Sequence, residues 1–300
     1  AEIVAIVEPA MHPRSSNAAE TLDSREALGV RYGAPTFQSL DELLASEVKL
    51  DGVLISTPHA THYDLATKAL SADLHVLLEK PMTTDVNEAR RLSEAAASSG
   101  KTFMVNNTAN WRAQTVAAHR IVASGGVGCV EHVSCSMHSP LIWLFDDPRN
   151  KGWVEATAGS TMTGNGFAWG QLSHLLAWVF KVTALKPVEA YAVMHRSRAS
   201  GADLADAAVI KCEASTVAQP LHQGAASGTA GEGTAGEGTA GEAPPTAAIA
   251  LSGSATVPGD AHGEEPIGKW IEIKVFGSEG VLAYRGDDQD PTSGGLLLRR

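Results

Sequence analysis

Residues 74–81, Leu-His-Val-Leu-Leu-Glu-Lys-Pro, put a lysine at the end of an apolar, β-prone run. Proline disfavours helical geometry in the residue before it, so Lys80 is expected at the carboxyl end of a strand. In open parallel α/β sheets, ligands bind in the crevice beyond those ends. Lys80 is therefore a candidate ligand-facing amine, with a solvated surface lysine as the plain alternative. Three other groups carry chemistry by type and spacing. Glu8 follows the first apolar run, where a carboxylate can hydrogen-bond an adenosine ribose. No G-x-G-x-x-G turn precedes it, and a solvated cap explains it equally. Ser56, Thr57, Pro58, His59 and His62 form a strand-to-helix turn whose backbone N–H groups could meet an anion or cofactor, or simply cap the helix. Lastly, Gly164-Asn-Gly-Phe-Ala-Trp-Gly-Gln-Leu-Ser-His174 leads into a helix. There Leu172, Leu175, Leu176 and Val179 follow the core period. Gln171, His174 and Trp178 share another stripe, which makes His174 a candidate acid or base and otherwise an exposed or structural histidine.

The elements that must position these groups follow two grammars. Apolar runs at 3–7, 52–56, 74–78 and 102–105 are expected as strands buried on both faces. Helical patterns at about 60–71 and 84–98 lie between them, the second with Thr84 as N-cap and Gly100 as stop. That alternation predicts a parallel sheet covered by helices. Beyond residue 108, helices are expected near 113–124 and 171–180. Strands are expected at 129–137, 188–195, 206–213, 246–256, 270–276, 280–284 and 295–299. The second grammar suits a mostly antiparallel sheet with helices on one face. The fold class is thus α/β, an incomplete Rossmann domain over 1–107 followed by an α+β domain over 108–300. A low-complexity insertion at about 214–248 holds three copies of Gly-Thr-Ala-Gly-Glu at 228–242 and has almost nothing apolar to bury.

The totals narrow the partners. The 34 acidic against 23 basic residues give a net charge of −11, so nucleic acid and anionic membranes are poor partners. No apolar run approaches the roughly 18 residues of a membrane span. Cys129, Cys135 and Cys212 are odd in number and lack metal-site spacing, which points to free thiols in a reducing, cytoplasmic compartment and to no metal. The first residues already form a strand pattern and the last stop within one, so the chain is expected to be cut at both ends. The cut would expose apolar faces beside residues 3–7.

These pieces in this order resemble the Gfo/Idh/MocA oxidoreductases. The resemblance is carried by Asp51-Gly-Val-Leu-Ile-Ser-Thr-Pro58 with His62, by Glu79-Lys80-Pro81, by Ser124-Gly-Gly-Val-Gly128 and by the glycine-rich run ending at His174. It implies hydride transfer between NAD or NADP and a carbinol or carbonyl carbon of a sugar, cyclitol or polyol, and a homo-oligomer built through the second-domain sheet. Lys80 would polarise the reacting oxygen, and His174 would exchange its proton. Ser56, Thr57, Pro58, His59, His62 and Glu79 would flank the cofactor, with Asn106 and Asn107 near the nicotinamide and substrate. Glu8 favours NAD, while nearby Arg14 keeps NADP open. Many relatives carry aspartates where this chain has Gly170 and Ala177. Gln171 can hydrogen-bond a hydroxyl but takes no proton at neutral pH. Two alternatives stand beside the dehydrogenase: a non-catalytic relative that binds a nucleotide or partner, and a glycosidase that uses bound NAD. Trp143, Trp153 and Trp169 are candidates to stack on a sugar, or to pack in the core.

Overall fold

The computed structural model describes residues 1–13, 22–155, 165–214, 246–259, 267–286 and 294–300. The Gly-Thr-Ala-Gly-Glu copies and Arg14 lie outside them. The chain divides into two compact units.

Unit 1 contains residues 1–106, 143–170 and 197–202. Strands β1 (Ile6–Val7) and β2 (Thr36–Phe37) pair in parallel, joined through helix α1 (Arg25–Tyr32). Helix α2 (Leu40–Leu44) follows. Strands β3 (Gly52–Ile55), β4 (His75–Glu79) and β5 (Phe103–Asn106) form a parallel sheet in that order. Helices α3 (His62–Ser71) and α4 (Val86–Ser99) make the crossovers. Leu78, Leu92, Ala66 and Ala69 are fully buried, so the face of α3 that carries Ala66 and Ala69 is the one that packs. Strand structure over 3–7 shrinks to Ile6–Val7 because residues 3–5 find no ladder among the described residues. Ile3 and Leu54 are left 52% and 69% exposed. The cap of α4 falls one residue later than Thr84. The Asp85 carboxylate accepts from the N–H groups of both Asn87 and Glu88, whereas threonine has one hydroxyl oxygen to offer. Gly100 ends the helix at φ +67° as expected.

Unit 1 also takes in α7 (Lys151–Val154) and most of α6 (Ile142–Phe145), which local patterning assigns to the second domain. Phe145 and Phe167, both fully buried, meet edge to face and anchor that excursion.

Unit 2 contains residues 107–142, 171–196 and 203–300, and its helix α5 (Ala113–Ala123) lies where one is expected near 113–124. Its seven strands are β6 (Val130–His138), β7 (Lys186–Arg196), β8 (Asp203–Glu213), β9 (Thr246–Ser254), β10 (Trp270–Gly277), β11 (Gly280–Gly286) and β12 (Gly295–Arg299). Their order is β12-β11-β10-β6-β9-β8-β7, and only β6–β9 pair in parallel. Register sorts the side chains into rows. One face carries Ile273, Cys135, Leu251 and Ala208, then Val275, Val133, Ile249 and Ile210. Most of these are buried, as are Leu175, Trp178 and Val179 of helix α8 (Ser173–Thr183). The other face carries Trp270, His138 and Ser254 in one row and Lys274, Ser134, Ala250, Val209 and Tyr191 in another. Thr246–Ser254 is strand, so the insertion boundary near 248 moves back.

Candidate active site

At the carboxyl ends of β4 and β5 one carboxylate organises two elements. Glu79 Oε1 accepts from Asn106 Nδ2 at 2.6 Å, and Oε2 accepts from the Lys80 backbone N–H at 3.2 Å. Lys80 thus stands where its proline neighbour leads one to expect it, with a cis Lys80–Pro81 bond. Its Nζ donates to the Gly170 carbonyl at 2.9 Å and lies 4.9 Å from the centre of the Trp153 ring.

The turn after β3 is held from within. His62 is fully buried, with Nδ1 2.8 Å from the Pro81 carbonyl and Nε2 2.9 Å from that of Thr57. The ring therefore ties the Ser56-Thr57-Pro58 turn to the Lys80-Pro81 turn; a neutral imidazole can donate to one carbonyl at a time. Thr61 Oγ1 donates to the Pro58 carbonyl at 2.8 Å. His59 is also buried, its Nδ1 2.9 Å from Asn165 Oδ1. Burial, and to a lesser degree the Lys80 and His62 charges, hold its pKa down at about 4 against the pull of Asn165, so it is neutral at physiological pH. Asn165 donates in turn to the Glu155 carbonyl and sits at φ +77°, a conformation asparagine tolerates better than most residues.

Gly170 explains its own identity. A Cβ there would stand 3.3 Å from the Trp153 ring and 3.5 Å from Phe145, so a larger side chain would have to push the indole away. Glu8 lies at the end of β1 and its carboxylate accepts from the Ala10 N–H at 2.9 Å. Arg25 donates to the Glu8 carbonyl at 3.1 Å, so Arg25 is the described cation beside Glu8.

Gln171 and His174 belong to unit 2. A π turn over Ala168–Leu172 precedes α8, and its wider winding shifts the helical register between Gln171 and the residues after it. Gln171 is consequently buried together with the leucine stripe, and Trp178, beyond the turn on the regular helix, is buried beside Leu175 and Val182, while His174 is half-buried. His174 lines a pocket with Arg112, Trp178, Tyr284 and the apolar Met137, Ile271 and Ile273. Trp178 stacks on Tyr284 at 5.4 Å. Gln171 Oε1 and Asn107 Oδ1 are buried oxygens with no hydrogen-bond partner among the described residues. Such acceptors carry a desolvation cost that a donor from a bound molecule would offset. A carboxamide N–H has that chemistry, so these two acceptors fit the amide of a nicotinamide.

Sequence reasoning had no means to single out Asn165. Its only local signal is the turn-prone Asn-Gly pair. Trp169, a stacking candidate, donates its Nε1–H to the Thr83 carbonyl at 2.5 Å. Among the described residues no cluster of three or more His, Cys, Asp or Glu could hold a metal, and no helix is long and apolar enough to cross a membrane.

Residues 2–107 match the model of an oxidoreductase family with an NAD-binding Rossmann fold. An uncharacterised oxidoreductase of Schizosaccharomyces pombe is 33% identical over 140 residues, 47% of this chain and 36% of its own length. The inositol 2-dehydrogenase of Rubrobacter xylanophilus is 36% identical over 110 residues, 36% of this chain and 31% of its own. The chain thus matches about a third of the length of these relatives. The WlbA dehydrogenase of Chromobacterium violaceum, solved with NADH and UDP-GlcNAcA, superposes with a TM-score of 0.62 at 17% identity, covering 95% of this chain and 66% of that one. The likeness extends over both units and concerns the fold.

Proposed function

Because residues 2–107 match the Gfo/Idh/MocA family model of NAD-binding Rossmann oxidoreductases, we propose that this chain is an NAD(P)-dependent dehydrogenase acting on a carbinol carbon of a sugar, cyclitol or related polyol. The observation that carries the reading is Lys80, an amine fixed at the carboxyl end of a parallel strand by Glu79 behind it and the Gly170 carbonyl ahead of it. Bound there, the nicotinamide supplies the hydride acceptor or donor. The chain's own task is the proton and the charge. As hydride leaves a carbinol carbon its hydroxyl proton must leave too, and the developing alkoxide needs a positive neighbour. Lys80 supplies that charge and His174 takes the proton, with Gln171 Oε1 accepting from a second hydroxyl. Ser56, Thr57 and Pro58 flank the cofactor. Asn106 stays braced by Glu79, and Asn107 offers its unpaired oxygen. His59 and His62, committed to Asn165 and to backbone carbonyls, hold this turn in shape. Glu8 favours NAD by repelling a 2′-phosphate, and Arg25 is the group that would accept one. The three free cysteines support a reducing, cytoplasmic setting.

The test is turnover of NAD and NADP against a panel of inositols, aldoses and polyols, with Lys80→Met beside the wild type. Loss of about 10²-fold or more in kcat, with the circular dichroism spectrum intact, is expected from removing a positioned acid–base group. Cofactor binding without any redox turnover would point to the non-catalytic relative. Bond cleavage with no net change in NAD would point to the glycosidase.

A further inference from the structure

We propose that Trp153 is a positioning residue for Lys80, its indole face forming a fixed part of the ammonium site and the His59–Asn165 pair holding the indole in place. The proposal rests on Lys80 being the working amine. Lys80 Nζ lies 4.9 Å from the indole centroid while it donates to Gly170 O at 2.9 Å. An ammonium within about 6 Å of a tryptophan face is attracted by the ring's quadrupole. The ring has little freedom to turn away. His59 meets it at 4.7 Å with the planes 79° apart, and Phe145 meets it at 6.1 Å and 87°. Two T-shaped contacts fix an aromatic plane more narrowly than area burial does. His59 is itself anchored through Asn165 to the Glu155 carbonyl, close after Trp153 in the chain. Gly170 contributes twice, lending its carbonyl and leaving the space where a Cβ would press on the indole.

The consequence is directional. The ring favours the charged form of Lys80, so replacing it by an aliphatic side chain lowers the lysine pKa, by about 0.5–1 unit for a cation–π contact of ordinary strength. Among the described residues, the titratable groups placed about Lys80 include Glu79, whose carboxylate meets its backbone N–H, and His59, neutral at physiological pH with His62 behind it. Neither is substituted in the comparison.

The experiment titrates Lys80 directly, by ¹³C reductive methylation and NMR, with the resonance assigned by its absence in Lys80→Arg. Wild type, Trp153→Phe and Trp153→Leu are compared, each checked for folding by circular dichroism. The lysine pKa is expected to fall in the order Trp, Phe, Leu, and the Lys80-linked limb of log kcat against pH to move with it. A folded Trp153→Leu that titrates at or above the wild-type value overturns the proposal. Should the leucine variant not fold, Trp153→Met replaces it and must titrate below Trp153→Phe, or the proposal fails. The titration requires neither cofactor nor turnover. A shifted pKa with full activity in Lys80→Met would remove Lys80 from the chemistry and leave its placement by Trp153 standing, and an unmoved pKa with a dead Lys80→Met would sink the positioning role alone.

Discussion

Two buried ionisable residues work against each other as pH changes. His59, held at about 4 by burial, takes up no proton in the native state until well below the 6.5 of an exposed imidazole. The unfolded chain binds that proton first, so the stability His59 permits is lost as pH falls from 6.5 toward 4. Asp206 has the opposite sign. It lies on β8 in the row Ile271, Met137, Gly253 and Met194. Burial there, reinforced by the neighbouring Asp203 carboxylate and only partly relieved by Arg196, raises its pKa from 3.8 to about 8. Its native form keeps a proton that the unfolded chain has released, so this contribution is full below 3.8 and is lost as pH rises through 8. Asp206→Asn is therefore expected to raise the melting temperature at pH 8.5 by about 2–3 °C, on the order of 1–2 kcal/mol for a chain of this size. The gain should shrink steadily toward pH 4. His59→Gln should do best relative to wild type at pH 4.5. Melting curves of the two variants from pH 4 to 9 check both signs, and parallel curves for variant and wild type would refute the assignment.

At the scale of elements, α4 shows how a helix boundary is chosen. Asp85 satisfies two N–H groups that the first turn leaves unpaired and places a negative charge at the positive end of the helix dipole. Asp85→Ala should cost about 1 kcal/mol, read as a lower denaturant midpoint at unchanged m-value. A loss below about 0.3 kcal/mol would mean that the cap is idle. The long elements were legible because burial writes a period into the chain. Leu74–Leu78 and Val130–His138 alternate or run apolar, and α8 repeats its leucines every three or four residues. Helix α1 was not legible, since none of its residues is buried and it has no apolar stripe to show. Strand β2, at two residues, is too short for any period. Lys80, Glu79 and Asn106 could be read as strand-end residues because strand ends are a local property. Trp153 over Lys80 and Asn165 beside His59 could not, because contacts between distant segments leave no mark in local spacing. The π turn hid the burial of Gln171 for a related reason, since a helical wheel assumes a constant 3.6-residue turn.

At the scale of the whole molecule, the open face of the seven-stranded sheet bears on how many copies work together. Tyr191 and Trp270 are 74% and 76% exposed on it, and Val193 and Val209 are more than half exposed. Between these large groups the middle strands β6 and β9 carry small side chains, Ser134, Ser136, Ala248, Ala250 and Ser252. A face with bulky margins and a low centre suits a second copy of itself related by a two-fold axis, which would bring the margins of one copy over the other's small residues. Strand β7 ends the sheet order and has no ladder partner on its outer side among the described residues, a liability that association would cover. We therefore expect self-association through this face. Light scattering after size exclusion should give a mass of at least two chains for the wild type. The double variant Tyr191→Glu with Val193→Glu should give one, since each carboxylate would have to be desolvated against the partner. Both positions are exposed, so folding should survive the change, and circular dichroism checks that it does. A wild type that runs as a single chain at micromolar concentration would remove this face from the account. A variant that still associates would move the interface to another surface.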